Sequence, residues 1–177
     1  MKHLKIEDLI VLDESGCNLN MTSTHARATG GKRIKMPVAF SRGPKISLIG
    51  AISANSVEAV MYGQWNTNGQ IFTAYVEKFL VPKLSKGKVL IMDNVKFHSN
   101  VKAVKAIEAT GATILFLPPY SPELSPIENM WSKLKQILKN SEPRTWGKFQ
   151  GAIKKAFLEI TESDLIGWFQ HCGYCVE

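Results

Sequence analysis

The chain has 177 residues, 45% of them hydrophobic and 21% charged, a balance that supports one globular core and argues against disorder. No apolar run approaches the roughly 20 residues that span a bilayer. The opening Met1-Lys2-His3-Leu4-Lys5-Ile6-Glu7-Asp8 also lacks a signal-peptide apolar stretch, so a soluble cytoplasmic protein with no membrane partner is expected. Lys and Arg number 22 against 15 Asp and Glu, a net charge of +7, which suits a polyanionic partner but is equally met by solubility alone.

In chain order, the first element is the apolar run Leu9-Ile10-Val11-Leu12 ending in Asp13. Consecutive apolar residues read as a strand buried on both faces, since a half-exposed strand alternates. Residues 14–45 are rich in Gly, Thr, Arg and Lys and weakly periodic. Strands are expected over 46–52 and 57–62, joined as an antiparallel hairpin by Ser53-Ala54-Asn55-Ser56. A helix follows over about 68–80, with Ile71, Tyr75, Phe79 and Leu80 on one face and Pro82 beyond it. The run Val89-Leu90-Ile91-Met92 is a second central strand, and it too ends in an aspartate, Asp93.

A helix over 100–109 stopped by Gly111 and another buried strand over 113–117 imply a parallel pair. Four prolines in 118–126 exclude helix or central strand and predict a stiff loop. From Pro126 to about Lys139, Ile127, Met130, Trp131, Leu134, Ile137 and Leu138 form a core-facing helical stripe. Helices over about 145–160 and 162–172 close the chain. Cys17, Cys172 and Cys175 include one C-x-x-C without a second pair, too few ligands for zinc, and read as structural thiols. The sum is an α/β fold, a five-stranded mixed sheet of three antiparallel and two further parallel strands flanked by helices, resembling the ribonuclease-H-like fold. Residues 1–177 are expected to form a single domain.

If the two central strands lie parallel and adjacent, Asp13 and Asp93 share the sheet edge where open α/β sheets place ligands. Two carboxylates in one partly buried cleft repel unless a cation neutralises them. Each aspartate alone could simply start a turn. Glu128 has its own competing role, because Ser125-Pro126-Ile127-Glu128 has the pattern of a helix capping box. A glutamate pinned by a rigid proline loop is equally suited to aim a carboxylate at a fixed point.

Three segments carry a family resemblance: Leu12-Asp13-Glu14-Ser15-Gly16, Met92-Asp93-Asn94-Val95-Lys96-Phe97-His98, and Leu117-Pro118-Pro119-Tyr120-Ser121-Pro122-Glu123-Leu124-Ser125-Pro126-Ile127-Glu128-Asn129-Met130-Trp131. They resemble the catalytic blocks of mariner-like DDE transposases in their bacterial insertion-sequence branch. The 34 residues between Asp93 and Glu128 fit the spacing of that branch. The resemblance implies a catalytic triad of Asp13, Asp93 and Glu128 holding two Mg²⁺ ions, with Mn²⁺ able to substitute. Such a site would cut DNA at the ends of a mobile element and join them to target DNA.

Asn94 and His98 would orient the metal ligands. Arg27, Lys32, Arg33, Lys35, Arg42, Lys133 and Lys135 would contact DNA phosphates. A dimer on DNA is implied, with the isolated domain a monomer, acting in the cytoplasm at the nucleoid. Full-length relatives begin with helix-turn-helix segments, and the expectation is that this region is absent here, so that DNA binding is weak and non-selective. Two readings compete: another metal-dependent nuclease of the same fold, which the proline-rich third block argues against, and a non-catalytic DNA-binding remnant, which the complete acidic set argues against.

Overall fold

A computed structural model describes residues 5–23, 30, 35, 40–119 and 121–174. Five strands form one sheet: β1 (Leu9–Asn18), β2 (Lys45–Ile52), β3 (Val57–Gly63), β4 (Val89–Met92) and β5 (Thr113–Phe116), in the spatial order β3-β2-β1-β4-β5. The β3-β2-β1 portion is antiparallel, and β4 and β5 run parallel to β1. The two aspartate-terminated runs are therefore neighbours, paired from Leu9↔Val89 to Val11↔Ile91.

The helices are α1 (Gly69–Tyr75), α2 (Val101–Glu108), α3 (Pro126–Ser141), α4 (Trp146–Leu158) and α5 (Glu162–His171). After α1 the coil continues as a π-helical turn, Val76–Leu80, and a 3₁₀ turn, Val81–Lys83, which together fill the predicted 68–80 helix. Asn68 starts α1 by accepting the N–H groups of Gln70 and Ile71, satisfying donors that have no partner within the helix.

Because side chains alternate along a strand, β1 serves two cores. Leu9 and Val11 face α3, α4 and α5, packing with Trp131, Leu134, Phe149, Ile153 and Phe169. Ile10 and Leu12 face α1 and α2, packing with Phe72, Tyr75, Ala103 and Ile107. The α3 stripe is buried as expected at Ile127, Met130, Trp131, Leu134 and Leu138. Truncating one of these to Ala should cost about 2–5 kcal/mol.

Three expectations are corrected. First, β1 does not end at Asp13: its ladder with β2 runs on to Asn18↔Lys45, while the parallel ladder with β4 stops at Val11↔Ile91. The apolar run covers the stretch beside β4, and polar residues begin just after that neighbour is lost. Second, β5 is not a buried strand. It is the edge of the sheet, with Leu115 45% and Phe116 39% exposed. Third, the capping box at Ser125 does not form: Ser125 makes no side-chain cap and offers only its carbonyl, 3.1 Å from the N–H of Glu128. A capping box does form at Thr161 and Asp164, at the start of α5. Cys17 and Cys172 are buried free thiols, as expected, and Cys175 lies outside the described residues. Among the described residues no helix is long and apolar enough to cross a membrane.

Candidate active site

Where β4 stops and β1 continues, the sheet opens a cleft. Asp13 sits on β1 just past the last β1–β4 pair, and Asp93 is the first residue after β4. The proline loop leads into α3 and sets Glu128 in its first turn, exposed and uncommitted to capping. All three carboxylate residues line one cavity of about 430 Å³, walled on its other side by Leu117, Pro118, Pro119 and Pro122. Asn94 also lines it.

The two aspartates are held differently. Asp13 Oδ2 accepts a 3.1 Å hydrogen bond from the indole Nε1 of Trp131. Burial, reinforced by the negative charges of Glu14, Glu128 and Asp93 and opposed by a backbone hydrogen bond from Glu14, pushes the Asp13 carboxyl up to about 7. Asp93 instead meets His98, a fully buried side chain. His98 Nδ1 lies 2.9 Å from the Asp93 backbone oxygen and 2.8 Å from Asp93 Oδ1, and Nε2 lies 2.9 Å from Glu14 Oε1. The close polar contact and charge of His98, which outweigh desolvation, hold the Asp93 carboxyl below its usual range. Burial alone would discharge His98, but Asp93 and Glu14 outweigh it and raise the imidazole to about 10. His98 is thus an imidazolium clamped between two carboxylates.

The donor set suits a hard divalent cation. Asp93 Oδ1 is buried, and its contact with His98 is ionic, with no hydrogen-bond partner along the N–H axis. Asp13 is a carboxyl whose charge is resisted chiefly by burial and then by acidic neighbours, the condition a cation relieves. Among the described residues no three His, Cys, Asp or Glu side chains close on a single point. Mg²⁺ does not require that, because it is ordinarily held by one or two carboxylates with waters and substrate phosphates completing the octahedron.

The basic residues are scattered. Arg27, Lys32 and Arg33 lie outside the described residues. Lys35 and Arg42 are exposed. Lys133 is engaged in a 2.5 Å ion pair with Asp164 that ties α3 to α5. Lys135 is half-buried on α3, close enough to Cys17 to oppose the burial that drives that thiol up to about 11.

Two residues that contact the site were not among the sequence candidates. Glu14 is adjacent to Asp13 but projects to the opposite sheet face, where it meets His98; strand alternation was the available signal. Trp131 was read only as core, and nothing in helical periodicity distinguishes an indole that also reaches a carboxylate.

A mixed five-stranded sheet of this order, flanked by helices and bearing carboxylates at the end of its parallel strands, defines a ribonuclease-H-like domain. Residues 8–149 match the family of DDE superfamily endonucleases, and the chain belongs to that family. Its structure is similar to that of a pre-cleavage Mos1 transpososome, with a TM-score of 0.76 at 12% identity over 97% of this chain and 55% of that one. A mariner Mos1 paired-end complex with Mg gives 0.74 at 14% identity, over 97% and 55%. The catalytic domain of Mos1 mariner transposase gives 0.67 at 12%, over 97% and 81%. The chain thus spans little more than half of the longer transposase chains, and at this identity the likeness is one of fold. No curated protein matches the chain in sequence.

Proposed function

We propose that this chain is the catalytic domain of a DDE transposase, cutting DNA strands at the ends of an insertion sequence and transferring them to target DNA. The observation that carries the reading is the convergence of Asp13, Asp93 and Glu128 on one cavity whose electrostatics call for a cation. Family membership and a fold like that of Mos1 transposase support it.

In this reading Asp13, Asp93 and Glu128 hold two Mg²⁺ ions, as Mg accompanies the similar Mos1 complex, and Mn²⁺ substitutes. Bound there, the pair would activate the attacking hydroxyl and stabilise the leaving oxygen of an in-line displacement at phosphorus. Asp13 must give up its proton when the cation arrives, whereas Asp93 is already ionised by its partnership with His98. In the first step a water oxygen bonds to phosphorus as the bond to the 3′ oxygen breaks, releasing a 3′-hydroxyl. That hydroxyl then attacks a target phosphodiester, forming a new phosphorus–oxygen bond as the target's bond to its own 3′ oxygen breaks and that oxygen leaves as a 3′-hydroxyl, so the energy of the target bond is conserved in the new one. No side chain needs to form a covalent intermediate.

Asn94 borders the substrate space, and His98 orients Asp93. Lys35, Arg42, Lys135 and the basic residues of 27–33 would supply phosphate contacts, with Lys133 joining them only by leaving Asp164. Residues 1–177 act as one domain, monomeric alone and dimeric on paired DNA ends, at the nucleoid in the cytoplasm. A calorimetric Mn²⁺ titration beside Asp93→Asn, followed by nicking and strand-transfer assays on duplex DNA, tests the reading. Metal binding and strand transfer that are both lost in the variant are expected; DNA binding with neither would leave a non-catalytic remnant.

A further inference from the structure

We propose that Trp131 is a positioning residue for Asp13, and that Gly50 exists in its present form to let the indole reach that carboxylate. The inference rests on the reading of Asp13 as a metal-binding group.

Trp131 lies one helical turn after Glu128 on α3, so the two side chains are neighbours on one side of the helix; the glutamate is exposed at the cavity and the indole is buried. It is 1% exposed, yet Nε1 reaches across to Asp13 Oδ2 at 3.1 Å. Gly50 on β2 stands directly opposite Asp13 in the antiparallel ladder. A Cβ at position 50 would sit 2.7 Å from Cη2 and 3.0 Å from Cζ2 of the indole, inside van der Waals contact. The ring therefore occupies the space that any other residue at 50 would fill.

Packing alone would not require this arrangement. A phenyl ring or a leucine would cover β2 without burying an N–H, and a buried indole N–H needs a partner. Placed here, that N–H restrains the carboxylate of a strand residue that would otherwise rotate about two side-chain bonds. It also links Asp13 to the helix that carries Glu128, so two carboxylates from distant parts of the chain share one rigid support. Asp93 receives the corresponding restraint from His98 on the other face of the sheet. Each aspartate thus has one dedicated nitrogen, and losing such a partner typically costs about 10- to 100-fold in metal affinity.

The test is a Mn²⁺ titration of the chain by calorimetry with four variants, each also followed by thermal unfolding. Trp131→Phe keeps a buried ring and removes the N–H; a Mn²⁺ affinity weakened about tenfold or more is expected. Gly50→Ala keeps the N–H but displaces the ring and should weaken binding likewise. Leu134→Ala, buried on the same helix but away from the cavity, should lower the unfolding temperature at least as much as Trp131→Phe and leave Mn²⁺ affinity at the parent value. Parent affinity in Trp131→Phe, or an equal loss in Leu134→Ala, overturns the inference while leaving the transposase reading intact. Asp93→Asn separates the two: if its affinity equals that of the parent, the metal reading itself falls, and this inference with it.

Discussion

Asp13 and Asp93 line the same cavity from adjacent parallel strands, but the two faces of the sheet treat them in opposite ways. On the α3 face Asp13 meets a neutral donor, Trp131, and acidic neighbours, so burial keeps its carboxyl near 7. Toward the α1–α2 face Asp93 meets an imidazolium and stays ionised. Of the two aspartates, one is therefore held as an anion and the other becomes anionic when a cation replaces its proton. Metal loading, on the function proposed above, would release a proton, and the buried positive charge of the site lies on His98 rather than on a surface lysine.

The sharpest way to break the contrast is Asp93→Asn. Nicking and strand transfer should fall to background in a gel assay, because the aspartate that His98 holds ionised is lost. Next in size is His98→Ala, which leaves Glu14 and Asp93 without their shared partner. Removing one member of a buried ion pair costs about 3–5 kcal/mol; with the Asp93 side chain 48% exposed, about 2–3 kcal/mol by chemical denaturation is expected once solvent screening is counted.

A pH series separates the two faces. Both Asp13 and His98 have folded values above their unfolded ones, so each contributes stability that is lost as pH rises. For Asp13 the loss falls between about 4 and about 7, and for His98 between 6.5 and about 10. Thermal unfolding of the metal-free chain should therefore weaken across both windows. Asp13→Asn should flatten the lower window and raise the unfolding temperature at pH 8, while His98→Ala should flatten the upper one. Saturating Mn²⁺ should reverse the lower trend, since only the ionised Asp13 binds it. The smallest effect is expected for Glu14→Gln, which keeps a hydrogen-bonding oxygen for His98 but removes a charge: about 1 kcal/mol of stability, with the imidazole titrating at lower pH by NMR.

Much of this was legible in the order of residues. Runs of four apolar residues announced strands covered on both sides, and the i, i+3, i+4, i+7 pattern from Ile127 announced α3 with nearly its observed bounds. Asp13, Asp93 and Glu128 each follow or begin such an element, and the resemblance of their segments to a known family singled them out. Local patterning misled where the cause was non-local. The exposure of β5 reflects its place at the sheet edge, which the residues Thr113–Phe116 do not encode by themselves. The continuation of β1 past Asp13 depends on pairing with residues 45–49, 27 to 35 positions away. Ser125 and Glu128 have the letters of a capping box, yet only Thr161 and Asp164 adopt one.

By itself, then, the sequence determined the elements and the parallel relation implied by a helix between strands, because hydrophobic periodicity and proline placement act over a few residues; it singled out the three carboxylates through the resemblance of the segments that carry them. Only the tertiary structure decided how each carboxylate is held. The hydrogen bond from Trp131 to Asp13 joins residues 118 positions apart, and His98 reaches Glu14 across 84. Contacts of that range depend on which strand face a residue occupies and on what a glycine such as Gly50 leaves open, and those are properties of the packed sheet.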